Sequence, residues 1–127
     1  MKNTLLNLFK YLYYLSLIIL FILYLFPGSL MGYLLDGDLE KQPTLINTPL
    51  GTSINHFFYF FYLTILGLIC NLFKKRFINS FVFLFTVSII LEMLHFFIPN
   101  RAFEYNDLMA NGAGVVIVFF IIKLIKK

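Results

Sequence analysis

Four apolar blocks constrain this chain more than any other feature of its sequence. The first runs from about Leu5 to Phe26, with Lys10 as its one charged side chain. The second spans roughly Ile54 to Phe73, the third Phe77 to Ile98 and the fourth Asp107 to Ile125. A helix rises ~1.5 Å per residue and a bilayer core is ~30 Å thick, so ~20 residues cross it. Each block has about that length. In lipid every backbone N–H and C=O must be paired inside the protein, and a helix pairs them within the segment. The sequence therefore predicts an all-α, polytopic membrane protein of four transmembrane helices, forming a single domain over residues 1–127.

Composition agrees. Hydrophobic residues make up 61% of the chain and charged residues 13%, against about 45–50% and 25% in soluble domains. A net charge of +4 would suggest nucleic acid in a soluble protein. Here the basic residues sit at the ends of apolar blocks and form no stripe that could track phosphates. No nucleic-acid partner is expected. Cys70 is the single cysteine, which excludes an intramolecular disulfide and offers no metal pair. The first block is longer than a signal-peptide core, and "LFPGSLMG" matches a cleavage site poorly, so it is expected to stay as a span. Pro27-Gly28 would end it.

The basic residues also set the orientation. With both termini in the cytoplasm, Lys2, Lys10, Lys74, Lys75, Arg76, Lys123, Lys126 and Lys127 fall inside, and only Lys41 and Arg101 fall outside. That asymmetry predicts an N-in, C-in protein of the cytoplasmic (inner) membrane. The connection from Pro27 to Ser53 would then lie outside, and it is long enough to be a lid or a passive strap.

Several polar residues sit where lipid disfavours them. Ser88, Glu92 and His95 are spaced by four and three residues, so they share one helix face. Asp107, Asn111 and Gly114 share another, with Gly112 beside them to admit a neighbouring helix. Asn55, Tyr59 and Tyr62 form a third stripe, adjoined by His56. In the predicted topology all three stripes lie in the outer layer of the bundle. Glu92 is expected to turn inward toward His56, His95, Asn111 or Arg101, because a carboxylate exposed to lipid costs several kcal/mol. Asp107, with Asn106 competing, is a candidate helix N-cap. Arg101 would either clamp an anion or pair with Glu104 or Asp107. Glu92 and His95 resemble half of a bundle di-metal pattern, but the matching Glu-x-x-His is absent, so neither a metal nor any other cofactor is expected.

These residues resemble the VanZ-like family of small bacterial integral membrane proteins. The family pattern is an acid, a Gln three residues later, then Pro, Arg, Asp, Asn and Gly at fixed steps. Glu92, Pro99, Arg101, Asp107, Asn111 and Gly114 match it, with His95 in the place of the Gln. An earlier Asp-Lys-x-x-His-Phe element is met by His56-Phe57, with Thr52 and Ser53 where Asp and Lys would stand. The resemblance is strongest over residues 52–118. It implies a bacterial membrane protein of the cell envelope, in a family named for an accessory protein of glycopeptide (teicoplanin) resistance.

The expected function is binding. A polar pocket on the extracytoplasmic side, built from Glu92, Arg101, Asp107, Asn111 and His56, would hold a polar or anionic group of an envelope lipid, a cell-wall precursor or a membrane partner. The same residues admit an enzyme acting on lipid-linked substrates, with Glu92 and His95 as acid–base candidates. They also admit a small transporter, or a structural subunit of an oligomer or larger membrane complex.

Overall fold

The computed structural model describes residues 2–71 and 80–125. It comprises five helices: α1 (Lys2–Leu25), α2 (Leu30–Asp36), α3 (Ser53–Asn71), α4 (Phe81–Leu94) and α5 (Tyr105–Ile125). No strand occurs among the described residues. The expected basic cluster Lys74, Lys75 and Arg76, the start of the third block at Phe77, and Lys126 and Lys127 lie outside them.

Three stretches are long and apolar enough to cross a membrane: Asn3–Leu25, Ser53–Cys70 and Tyr105–Ile125. Only 28%, 39% and 22% of these stretches, respectively, is buried inside the protein. The remaining faces carry large apolar side chains such as Leu8, Ile18, Ile22, Ile117 and Phe120. Such continuous apolar surface is unstable in water and matches lipid. This is a membrane protein.

The third block differs from its expected extent of Phe77 to Ile98. Helix α4 begins at Phe81, where the Ser80 side chain caps it by accepting the Phe83 N–H. It ends at Leu94, because the N–H groups of His95, Phe96 and Phe97 bond three residues back, to Glu92, Met93 and Leu94. Such bonds tighten the last turn and stop the α-helical ladder. Pro99 follows, and Asn100 turns the chain at φ 58, a left-handed conformation that Asn tolerates better than most residues.

Each long helix turns one face inward. Tyr13, Leu17, Leu20 and Tyr24 of α1 pack against Phe60, Leu63 and Leu66 of α3, with Leu84, Val87 and Leu91 of α4 and Val115 of α5. The closest approach joins α3 to α5 at Gly114. A Cβ there would stand 2.6 Å from the Phe57 carbonyl oxygen and 2.9 Å from the Phe61 nitrogen. Gly112, expected to admit a neighbour, has ordinary room beside Phe85 instead. The two glycines are two positions apart, so they face different sides of α5.

The 27–52 segment folds back over one end of the bundle. Ser29 caps α2, and Gly37 ends it in the left-handed conformation. The chain then returns so that the Leu39 carbonyl accepts the Ser29 N–H at 2.7 Å. Asn55 secures the return by donating to the Pro43 carbonyl and accepting the Leu45 N–H. The segment is thus a strap pinned to the start of α3.

Candidate functional site

The chain reverses direction between successive long helices, so the end of α1, the start of α3, the end of α4 and the start of α5 share one end of the bundle. The inward faces are mostly apolar at depth, where Ser16 and Thr64 are buried hydroxyls, and more polar at that end. Tyr24, His56, Glu92, His95, Asp107 and Asn111 meet there. Glu92 and Asn111 are fully buried, and His95 and Asp107 keep only 3% and 4% of their surface. The sequence-predicted convergence of Glu92, His56, His95, Asp107 and Asn111 is therefore real in geometry.

The hydrogen bonds fix how they meet. Tyr24, in the last turn of α1, donates its hydroxyl to Asn111 Oδ1 at 2.6 Å. Its oxygen also lies 2.6 Å from His56 Nδ1, and its ring stacks on His95 at 5.3 Å and 17°. Asn111 Nδ2 donates to the Ser88 carbonyl, which holds the amide with Oδ1 toward Tyr24. A hydroxyl has one proton. Since that proton goes to Asn111, the Tyr24 oxygen accepts from His56, and His56 Nδ1 carries the hydrogen.

Asp107 is not a helix cap. Helix α5 starts at Tyr105, one residue ahead of Asn106, so neither competitor caps it, and the Glu104 carbonyl accepts the Leu108 N–H. Asp107 sits in the first turn with its side chain turned into the bundle. Oδ1 accepts the Ser53 hydroxyl at 2.5 Å, and Oδ2 lies 3.6 Å from His56 Nε2. Glu92 Oε1 lies 3.3 Å from His95 Nδ1 and accepts the Glu104 N–H at 3.1 Å. Glu92 Oε2 is buried with no hydrogen-bond partner among the described residues. The other His95 nitrogen faces the Tyr24 carbonyl at 3.2 Å. Two acceptors thus face the two His95 nitrogens. An imidazolium satisfies both, as does a neutral ring whose Nδ1 accepts from a protonated Glu92.

Arg101 does not form the ion pair expected as one of its two alternatives. It makes no ion pair with Glu104 or Asp107 among the described residues. Instead its Nε donates to the Phe26 carbonyl and its Nη2 to the Leu23 carbonyl, at 3.3 and 2.5 Å. A cation there meets the negative end of the α1 dipole and carbonyls that the helix leaves unpaired. Burial lowers its pKa from the ordinary guanidinium value. The carboxyl of Glu104 is shifted up, first by desolvation and then by Asp107 and Glu92.

The third stripe divides. Asn55 holds the strap, while Tyr59 donates to the Ser16 carbonyl and Tyr62 bonds the Ser16 hydroxyl, so these tyrosines tie α3 to α1. Sequence reasoning missed Tyr24 and Ser53. Depth alone would have flagged Tyr24, since it ends the first block on the same side as Glu92 and Asp107. Ser53 offered only its place in the Asp-Lys-x-x-His-Phe element.

Beside this cluster lies a cavity of about 500 Å³, between the ends of α1 and α3 and the strap. Leu20, Leu23, Met31 and Leu35 give it apolar walls, and Tyr24, His56, His95 and Arg101 give it a polar side. Its volume is in the range of small-molecule sites, about 300–1,000 Å³.

The family model described as VanZ/LLP1 matches residues 9–126. The chain belongs to that family. The VanZ/LLP1 match takes in all of the buried polar residues above and most of α1, so it extends well beyond the 52–118 region of clearest resemblance. No curated protein and no solved structure matches the chain.

Proposed function

We propose that this chain is a four-span protein of the bacterial cytoplasmic membrane, with both termini inside. In this reading it binds the polar or anionic part of an envelope lipid or lipid-linked cell-wall precursor at its outer face. The asymmetry of lysines and arginines supports the orientation. Helix α4 has 14 residues, a rise of about 21 Å. Its tightened final turn is tolerable at membrane depth because the N–H groups of His95, Phe96 and Phe97 are all paired with backbone carbonyls of the same segment.

The cavity is the observation that carries the reading. Its leucine and methionine walls suit an acyl or prenyl chain, and its polar side suits a head group. Arg101 offers five N–H donors in all, and the carbonyls of Leu23 and Phe26 take two of them. The remainder can meet an anion. The strap across the cavity would slow exchange of the guest.

Native mass spectrometry from membrane extracts tests this. The wild type should retain a lipid adduct that Arg101→Gln loses at unchanged expression. Equal retention by both proteins would overturn the reading.

A second reading is acid–base catalysis on a lipid-linked substrate. The Glu92–His95 contact supports it, because His95 lines the cavity and Glu92 stands behind it. Labelled polyprenyl-phosphate lipids should then turn over faster with the wild type than with Glu92→Gln. Equal product from the two excludes catalysis by this pair.

A further inference from the structure

Three of the buried groups have a relationship that lipid binding does not need. One ligand-capable atom from each of His56, Glu92 and Asp107 lies within 4.8 Å of the other two. The three residues come from α3, α4 and α5, so no spacing along the chain announces the set.

The hydrogen bonds show which atoms are left over. His56 Nδ1 carries its hydrogen toward Tyr24, so in the neutral ring Nε2 presents a lone pair. That lone pair faces Asp107 Oδ2 at 3.6 Å. Asp107 Oδ1 is held by Ser53, and Glu92 Oε1 is held by the Glu104 N–H and by His95. Glu92 Oε2, on a residue with no exposed surface, has no partner. Each residue is thus anchored through one heteroatom; the second heteroatoms of His56 and Asp107 face each other, and that of Glu92 has no partner among the described residues.

Two carboxyl groups and an imidazole nitrogen gathered in a buried space form a donor set that a cation among them would satisfy. The 3.6 Å spacing is long for a hydrogen bond. It is close to the separation of about 3.4 Å between two donors bound at ~2.1 Å in a tetrahedral site. Arg101 directs donors to the end of α1, and the His95 nitrogens face Glu92 and the Tyr24 carbonyl, so neither supplies a charge between His56 and Asp107.

We propose that His56, Glu92 and Asp107 bind one divalent transition-metal cation, with zinc the best fit. One imidazole and two carboxylates are ligands that Zn²⁺ accepts, and three protein ligands leave a coordination position open. The imidazole disfavours Mg²⁺, which keeps to oxygen ligands and retains its waters. Tyr24, Ser53, His95 and the Glu104 N–H are the outer partners that fix ligand orientation, as metal sites require. His56 belongs both to this set and to the cavity wall, so the metal would lie next to the lipid-binding space.

The test uses tag-free protein in detergent, stripped by chelator and titrated with Zn²⁺ alone, with Mg²⁺ as the control. The chain has two histidines and one cysteine, so the background is small. The wild type should bind one zinc per chain, unfold at a higher temperature with zinc, and lose that gain on chelation. Glu92→Gln and Asp107→Asn keep side-chain shape and should remain helical by circular dichroism, yet lose the zinc and the shift. Ser53→Ala, which removes only an outer partner, should weaken zinc affinity about 10–100-fold.

Arg101→Gln should bind zinc as the wild type does, even where it loses lipid, so this proposal and the lipid reading fail separately. Absence of stoichiometric zinc in the wild type overturns the metal site. So does a folded Glu92→Gln that binds zinc as tightly as the wild type.

Discussion

Tyr24 and Asn111 are 87 residues apart and joined by a buried hydrogen bond of 2.6 Å. That bond ties the first and last long helices together at their polar end. It also decides the tautomer of His56, because the Tyr24 proton is committed to the amide. The arrangement of the site therefore depends on a residue outside the motif that makes the family visible.

Tyr24→Phe should destabilise the protein by about 1–3 kcal/mol, the usual effect of stranding a buried polar partner. Asn111 Oδ1 and His56 Nδ1 would both lose their bond. Thermal unfolding in detergent measures this. An unchanged midpoint would show that the hydroxyl is dispensable.

Gly114→Ala and Gly112→Ala should differ sharply. At Gly114 the new methyl meets the α3 backbone under 3.0 Å away, whereas at Gly112 the nearest atom is 3.5 Å away. Overpacking against backbone costs about 1–3 kcal/mol or more, which exceeds the gain of about 1 kcal/mol that alanine otherwise brings within a helix. Gly114→Ala should lower the unfolding temperature and Gly112→Ala should not. Equal effects would contradict the α3–α5 contact.

Asn55→Ala should loosen the strap, since the Pro43 and Leu45 contacts both depend on its side chain. The expected outcome is faster loss of the co-purified lipid with little change in unfolding temperature, because these bonds are exposed or only partly buried. A lipid off-rate equal to that of the wild type would show that the strap does not close the cavity.

Topology gives a further check. Cys70 is buried, so whole cells should show little labelling by a membrane-impermeant maleimide. Asp38→Cys should label from outside and Lys123→Cys only after lysis. The reverse pattern would invert the proposed orientation.

Lipid placement was legible in the sequence because hydropathy is a property of each residue and adds along a block. Helical faces were legible for the same local reason. Spacings of three and four residues put Glu92 with His95, and Asp107 with Asn111, on one side of a helix in any fold. The inward turn of Glu92 followed from the energetic penalty of a carboxylate in lipid.

Tertiary structure alone decided the partners. Local spacing could not say that Arg101 would meet the end of α1, or that Asn55 would hold the strap while His56, one position on, faced the interior. Depth in the membrane suggested that His56, Glu92 and Asp107 share one layer, but only the packing of three different helices brings one ligand-capable atom of each within 4.8 Å of the others. The physical reason is range. Hydropathy and periodicity act over a few residues, whereas hydrogen bonds between helices depend on depth and rotation, and these are set by close packing such as that of Gly114 against α3.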